Sequence, residues 1–354
     1  MPRLTSATIK QRARELGFDL CGVARADAYP ELAYLHDWLA AGYAGEMHYM
    51  HRTAERRRDV RQVLPSARTV IVAASVYNVD RECSTEVADP GRAVVSRYAW
   101  GDDYHDVLRA RLETLLAWMR AEEDAPFEAR AYVDTGPVQE RVYAQYAGVG
   151  WIGKNTCVIN HELGSWIFLS EIVCSLELEP DQPALDQCGT CTLCLEACPT
   201  HAIVEPGRLD ATRCLSYLTI ELRGPIPPAY RDAVGGHVYG CDICQDVCPW
   251  NQPAPVSRDS SWQPRPLFDR PRVLQLWRRS DDELKAALSG SAMSRATIEG
   301  LRRNLAVALG NSNDPEALAA LDEDTTGRTS VETPLVAEHV RWAREKLLQA
   351  GVAD

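Results

Sequence analysis

The chain has 354 residues, 45% of them hydrophobic and 25% charged, with a formal net charge of −12. That is room for two or three domains with true cores, and the acidic total argues against a protein that coats a polyanion with its whole surface. No apolar run approaches the ~20 residues of a membrane span, and the N-terminal MPRLTSATIKQRARELG lacks a signal-peptide core, so no membrane partner and a cytoplasmic location are expected.

Residues 5–16 read as a first helix, with Thr5 or Ser6 as N-cap and Gly17 as its stop. A strand over 18–24 follows, then a helix over 30–41 with Pro30 in its first turn and Gly42 past its end. Between 45 and 64 stand Arg52, Arg56, Arg57, Arg58 and Arg61. Such a run is a solvated helix face or an anion contact, because arginine grips phosphate with paired bonds; composition leaves both open. The β-branched run 69–77 is expected to be a central strand. A loop at 97–105 enters a long helix over 104–122, and 128–133 is a further strand. Asp134 or Thr135 then reads as the N-cap of a helix reaching 147, with Pro137 in its first turn. A carboxyl at a strand end, facing a helix start, also suits chemistry. GVGWIGKNT at 148–156 has the wrong spacing for a phosphate loop; its glycines make an ordinary turn or let backbone approach a large ligand. Residues 156–160 and 165–176 are expected to pair as a hairpin.

Twelve cysteines in a reducing compartment argue for metal binding, not for disulfides. CGTCTLCLEACP at 188–199 has the bacterial ferredoxin spacing. CDICQDVCPW at 241–250 is the same pattern lacking its first cysteine, and Cys214 is the replacement. Zinc fits such a run poorly. In two-cluster ferredoxins the fourth cysteine of a run ligates the other cluster. Cys188, Cys191, Cys194 and Cys248 are therefore assigned to one 4Fe–4S cluster, and Cys198, Cys214, Cys241 and Cys244 to the second. Cys21, Cys83, Cys157 and Cys174 show no ligand spacing and read as small buried apolar residues.

Inside this module, 214–221 is a short helix halted by Gly224 and Pro225. Prolines at 253, 255, 264, 266 and 271 then mark a linker or an extended wrap. From 251 to 310 ten basic residues face six acidic ones; this is a set of solvated helix faces or a nucleic-acid surface. Helices over 294–309, 315–321 and from Thr333 onward follow in pairs, like one or two HEAT-type repeats.

RYAWGDDYH at 97–105, DTGPVQER at 134–141, GWIGKNT at 150–156, RCLSYLTIE at 213–221 and both cysteine runs together resemble the epoxyqueuosine reductases, over nearly the whole chain. The resemblance implies an α/β (α+β) cobalamin-binding domain similar to nitroreductase-like folds over 1–178. A two-cluster ferredoxin-like module would occupy 179–252, and a linker with a HEAT-like helical tRNA-binding region 253–354. It implies cobalamin and two 4Fe–4S clusters as cofactors, tRNA carrying epoxyqueuosine as substrate, an external electron donor, and a monomer. Asp134 is implied as the proton donor and a cobalamin neighbour. Donation near neutral pH calls for a raised pKa, which burial against an apolar ring would produce. Arg57, Lys154, Asn155, Thr156, Ser216 and Asp242 are implied as cobalamin contacts, the choice of Arg57 within 56–58 depending on register. Glu221, Arg295, Arg302 and Arg303 are the tRNA candidates.

Two other readings stand against this one. A cobalamin-dependent reductase of a small molecule, similar to reductive dehalogenases, is usually exported with a twin-arginine signal that is missing here. An iron–sulfur electron carrier needs only ~60 residues and leaves the rest of the chain without a task.

Overall fold

The computed structural model describes residues 4–269, 271–323 and 325–351; Arg270, one of the ten basic residues above, lies outside them. A four-stranded antiparallel sheet organises the N-terminal part, in the order Leu20–Arg25, Thr69–Val76, Ile167–Cys174, Ala129–Tyr132. Thr69–Val76 is buried along its whole length because both faces are covered. Ile71 and Ala73 join the core beneath helices Ser6–Glu15 and Tyr104–Glu122. Val70, Val72, Ala74 and Val76 join the opposite core, beneath helix Glu140–Tyr146. A strand with two apolar faces has no polar alternation to show. Thr5 caps the first helix as expected. Gly22 lets that last helix lie close, since a Cβ there would stand 2.0 Å from the Ala147 carbonyl oxygen.

Two expectations fail locally. Val158–Ile159 pairs with Trp151–Ile152, not with the long strand; of the expected hairpin a single bridge, Asn160 to Gly164, remains. The long strand instead has partners on both sides, and the sheet interior outcompetes a local turn. The helix after Asp134 begins at Glu140 with Gln139 as N-cap, so neither Asp134 nor Thr135 caps it and Pro137 precedes it. Asp134 has φ 56°, and an N-cap needs an extended backbone.

The cysteine-rich part contributes four short helices, among which Leu193–Ala197 and Ile243–Asp246 pack together. Its strand His237–Tyr239 pairs in parallel with Val94–Val95 of the N-terminal part. The proline-rich segment wraps back over that part. Ser257 N–H donates to Asn78 O, Arg265 N–H to Trp100 O and Ala93 N–H to Pro271 O, while Trp262 is buried.

Among the described residues, five α-helices make up the C-terminal part: Val273–Arg278, Asp281–Leu288, Ile298–Gly310, Ala317–Leu321 and Pro334–Gln349. Ile298–Gly310 is enclosed on every side from Leu301 onward. It packs on Pro334–Gln349, Val273–Arg278 and His237–Tyr239. At Gly310 a Cβ would come within 2.9 Å of Ala343 Cα, so glycine permits the close crossing. No helix of the described residues is long and apolar enough to cross a membrane.

Candidate active site and cluster cavities

The eight spaced cysteines fall into two groups in space. Cys194 has Cys188, Cys191 and Cys248 as charge neighbours, and these four thiols line one cavity with Lys154, Asn155 and Trp250. Cys241 has Cys214 and Cys198 as neighbours, and Cys244 has Cys241 and Cys214. The fourth cysteine of each run thus crosses to the other group. Burial above all pushes the Cys194, Cys214, Cys241 and Cys248 thiols up, as expected of sulfurs packed together without a cation. Among the described residues no three Cys, His, Asp or Glu side chains close on a single ion position. Four thiols around a cavity fit a cluster better than one zinc ion. Of the unspaced cysteines, Cys21 and Cys174 are buried as expected, whereas Cys83 and Cys157 are partly exposed, and Cys157 lies against Cys244.

Asp134 lies two residues past the end of the edge strand Ala129–Tyr132, in a recess of the surface. Half of its side chain is open to solvent, yet burial is the largest single influence on its carboxyl; it is enclosed by protein and open on one side. Its Oδ2 lies 3.3 Å from His105 Nε2 and 3.4 Å from Arg295 Nη1. His105 is the second residue of helix Tyr104–Glu122, whose N-cap is Asp103. That cap brings its Oδ1 to 2.6 Å from His105 Nδ1. Arg295 Nη2 stands 2.7 Å from the same Nε2 that faces Asp134.

The charges follow from this geometry. Burial pushes the Asp134 carboxyl up, but the hydrogen bond and charge of His105 and the charge of Arg295 outweigh it and hold the group below its ordinary value. Burial pulls His105 down, but Asp103 and Asp134 outweigh that and hold it above. Both directions favour a proton on His105 over one on Asp134. The raised pKa expected at Asp134 comes with burial against an apolar ring; the chain's own groups, His105 and Arg295, hold the carboxyl down. Nε2 has room for one hydrogen: either His105 donates it to Asp134, or the bare nitrogen accepts from Arg295.

Around the recess, Tyr49 is 40% exposed and shares its electrostatic surroundings with Glu221, Asp134, Arg57 and Arg295. Glu221 is raised, by burial first and then by Asp134, against the pull of Arg223. Of the three adjacent arginines in helix His48–Arg58, Arg57 is the one that turns inward. It donates to Val138 O at 2.9 Å and Thr53 Oγ1 at 3.0 Å, while Arg52, Arg56 and Arg58 face solvent.

The other site candidates are more occupied than expected. Lys154 Nζ donates to the Gly189 and Cys191 carbonyls at 2.6 and 2.8 Å. Asn155 donates to Cys244 O, and Thr156 accepts from Arg141. The Ser216 hydroxyl lies 3.5 Å from Cys241 O. Asp242 is buried and both its oxygens are engaged, by the Ser96 hydroxyl at 2.5 Å and Arg97 N–H at 2.6 Å. It pins the 96–97 turn to the cysteine module.

Arg302 and Arg303 are likewise turned inward, at 0% and 1% exposure. Arg302 is bound to Asp281 and the Trp277 carbonyl. Arg303 donates to the carbonyls of Leu218, Leu222 and Gly224. Neither can offer charge to a phosphate; a helix enclosed on all sides has no wet face. Arg295, the remaining basic candidate, stands at the recess instead. His105 and Asp103, with Tyr104 between them, join the site from the end of the RYAWGDDYH motif, which spacing alone does not mark as a site.

Two family models match. One, described as a 4Fe-4S double cluster binding domain, covers residues 187–251 and all eight spaced cysteines. The other, described as epoxyqueuosine reductase QueG, DUF1730, covers 57–135. An epoxyqueuosine reductase of Gloeobacter violaceus is 50% identical over 322 residues, 89% of this chain and 99% of the relative. Among solved structures, an epoxyqueuosine reductase with an epoxyqueuosine-modified tRNA-Tyr stem loop is 31% identical, with TM-score 0.85 over 96% of this chain and 89% of that one. A Bacillus subtilis enzyme of the same name, with its catalytic aspartate loop swung out of the active site, matches at 30% identity and TM-score 0.85, over 96% and 90% of the two chains.

Proposed function

The chain belongs to the epoxyqueuosine reductase family, and on that premise we propose that it reduces epoxyqueuosine to queuosine at the wobble position of tRNAs for Asp, Asn, His and Tyr, the last step of queuosine biosynthesis. Replacing the epoxide by an alkene consumes two electrons and two protons and releases the oxygen as water. Cobalamin and two 4Fe–4S clusters, when bound, supply the electron transfer. The two groups of four thiols fit the clusters. The recess, with a half-open carboxyl in it and Tyr49 and Arg295 beside it, suits coverage by a large cofactor and a flipped-out nucleoside.

Residues of this chain then handle the proton. His105 stores it between Asp103 and Asp134, and Asp134 passes it to the departing oxygen, so the acid of the site is a relay rather than a carboxyl with a raised pKa. Once the proton has left, Arg295 can donate to the bare Nε2, which keeps the ring in place. The juxtaposition of Asp134, His105 and Arg295 at a recess is the observation that carries this reading. Arg57, Lys154, Asn155, Thr156 and Ser216 remain proposed supports of the cofactor pocket, Lys154 and Asn155 through the cluster loops they brace.

For tRNA we favour the solvent-facing Arg52, Arg56 and Arg58 near the recess, with Glu221 at its edge. Residues 1–178 are read as the nitroreductase-like cobalamin domain, 179–252 as the cluster module and 253–354 as the wrap and HEAT-like helices, acting in the cytoplasm as a monomer fed by an external donor. The test is anaerobic incubation of the reconstituted protein with tRNA bearing epoxyqueuosine, read by nucleoside mass spectrometry. Queuosine should replace epoxyqueuosine; an unchanged nucleoside with both clusters and cobalamin loaded overturns the proposal.

A further inference from the structure

We propose that Glu140 is a positioning residue that latches the Asp134 turn, supported from beneath by a proton carried on Glu171. The inference rests on Asp134 being the acid of the site. Asp134 has φ 56°, and Thr135 N–H donates to Val133 O at 2.5 Å across it. A three-residue turn with positive φ is rare and strained, and a non-glycine residue stays in it only when its surroundings hold it there. His105 and Arg295 hold the side chain. Glu140 holds the backbone: its Oε1 accepts the Asp134 N–H at 2.6 Å. Glu140 opens helix Glu140–Tyr146, which packs on strand Ile167–Cys174, so the latch stands on a rigid element.

Glu171 lies in the middle of that strand at 0% exposure, and no N–H or hydroxyl donor reaches either carboxyl oxygen. Its parity along the strand is that of Leu169 and Val173, which face the core under helix Glu140–Tyr146, and the Glu140 carboxyl is its neighbour. An ionised carboxylate buried without a donor is prohibitively costly, whereas a neutral acid that donates its own proton is not. The proton therefore sits on Glu171 and is donated to Glu140, which stays an acceptor for the Asp134 N–H. Two carboxyls sharing one proton is the usual resolution of such a pair. Burial first and then the charge of Asp134 push Glu140 up to about 7 against the pull of the Glu171 hydrogen bond, while burial, then the charge and hydrogen bond of Glu140, push Glu171 well above the ordinary carboxyl range.

The experiment is hydrogen exchange of the 132–137 segment in the full, cluster-loaded chain, with single-turnover rates on epoxyqueuosine tRNA and iron content as the check on folding. Glu140→Ala should speed exchange at the Asp134 and Thr135 amides and slow turnover about a hundredfold, the scale of a misplaced reacting group. Glu140→Gln keeps an oxygen that accepts the same N–H and should restore both readouts. Glu171→Gln, whose amide donates in place of the acid proton, should resemble the parent. If Glu140→Ala loses iron, Glu140→Asp, too short to reach, takes its place with the same expectation. Parental exchange and rate in Glu140→Ala, or a Gln variant no better than Ala, overturns the latch. Exchange is read without substrate, so a latch that holds while Asp134→Asn turns over normally would sink the acid assignment alone.

Discussion

Replacing Arg303 by methionine separates a structural arginine from a phosphate-binding one. The side chain is 1% exposed and donates to three backbone carbonyls, those of Leu218, Leu222 and Gly224, at 2.7–2.8 Å. Burial, the largest influence, pulls its guanidinium down to about 10, so it is still charged at neutral pH. Arg303→Met keeps most of the stem volume but takes the donor from four buried acceptors, the three carbonyls and the Asn304 side-chain oxygen. Hydrogen bonds from a charged donor contribute about 1.5–3 kcal/mol each. Part of that is offset because the variant no longer buries a charge, so a net loss of about 4 kcal/mol is expected. At a urea slope of about 3 kcal/mol/M this lowers the midpoint by roughly 1.3 M. Fluorescence of Trp277 and Trp342, both in or against the core around this helix, reports the transition. The salt dependence of tRNA binding, measured below the transition, should keep its slope. An unchanged midpoint with a shallower salt slope would refute the burial argument and return Arg303 to the RNA surface.

Cys214→Ala should leave roughly four irons per chain in place of eight, and a full complement in that variant would remove Cys214 from the ligand set. Neutralising Arg52, Arg56 and Arg58 together should flatten the salt dependence of tRNA affinity by about 0.7 for each phosphate that no longer meets an arginine; an unaltered slope would move the RNA surface elsewhere. His339 is fully buried, accepts from Ile226 N–H, and is pulled by burial down to about 4. A depressed folded pKa means full stability above the ordinary value of 6.5 and loss as pH falls toward 4. His339→Gln should flatten that acid limb, worth on the order of 3 kcal/mol, and an identical pH profile would show that another group titrates. The His105–Asp134 pair has the opposite upper edge. Asp134 is held below its ordinary 3.8 and His105 above its ordinary 6.5, so their mutual stabilisation is present between those values and fades as pH rises through the folded His105 pKa. Asp134 is half exposed, so the effect should stay under about 1 kcal/mol, read as the pH-dependent difference between the parent and His105→Gln.

How much of this was legible in the sequence depended on the range of the interaction. Cysteine spacing is a local signal that carries its own geometry, and the expected partition matches the two groups in space. Helix Tyr104–Glu122 and strand Thr69–Val76 were legible because length and β-branched content are local as well. The hairpin was not, since Ile167–Cys174 chooses between a near partner and two distant ones. Arg302 and Arg303 misled because a basic count cannot tell a wet helix face from a helix enclosed by others. Asp134 looked like a cap because strand-end carboxyls before proline usually are; its positive φ is set by Glu140, His105 and Arg295, drawn from three separate stretches. His105 was within reach, two residues after its own N-cap, but its role appears only when Asp134 and Arg295 arrive from elsewhere.

The most direct test of the account is single-turnover reduction of epoxyqueuosine tRNA by Asp134→Asn, loaded with cofactors and pre-reduced. Asparagine tolerates the left-handed backbone of this turn, and Gln139 rather than Asp134 caps the next helix, so folding and cluster content should survive. An amide cannot relay the His105 proton, and the rate should fall by about two to four orders of magnitude. A rate near that of the parent, with the same iron and cobalamin content, would contradict the assignment of Asp134 as the group that protonates the departing oxygen.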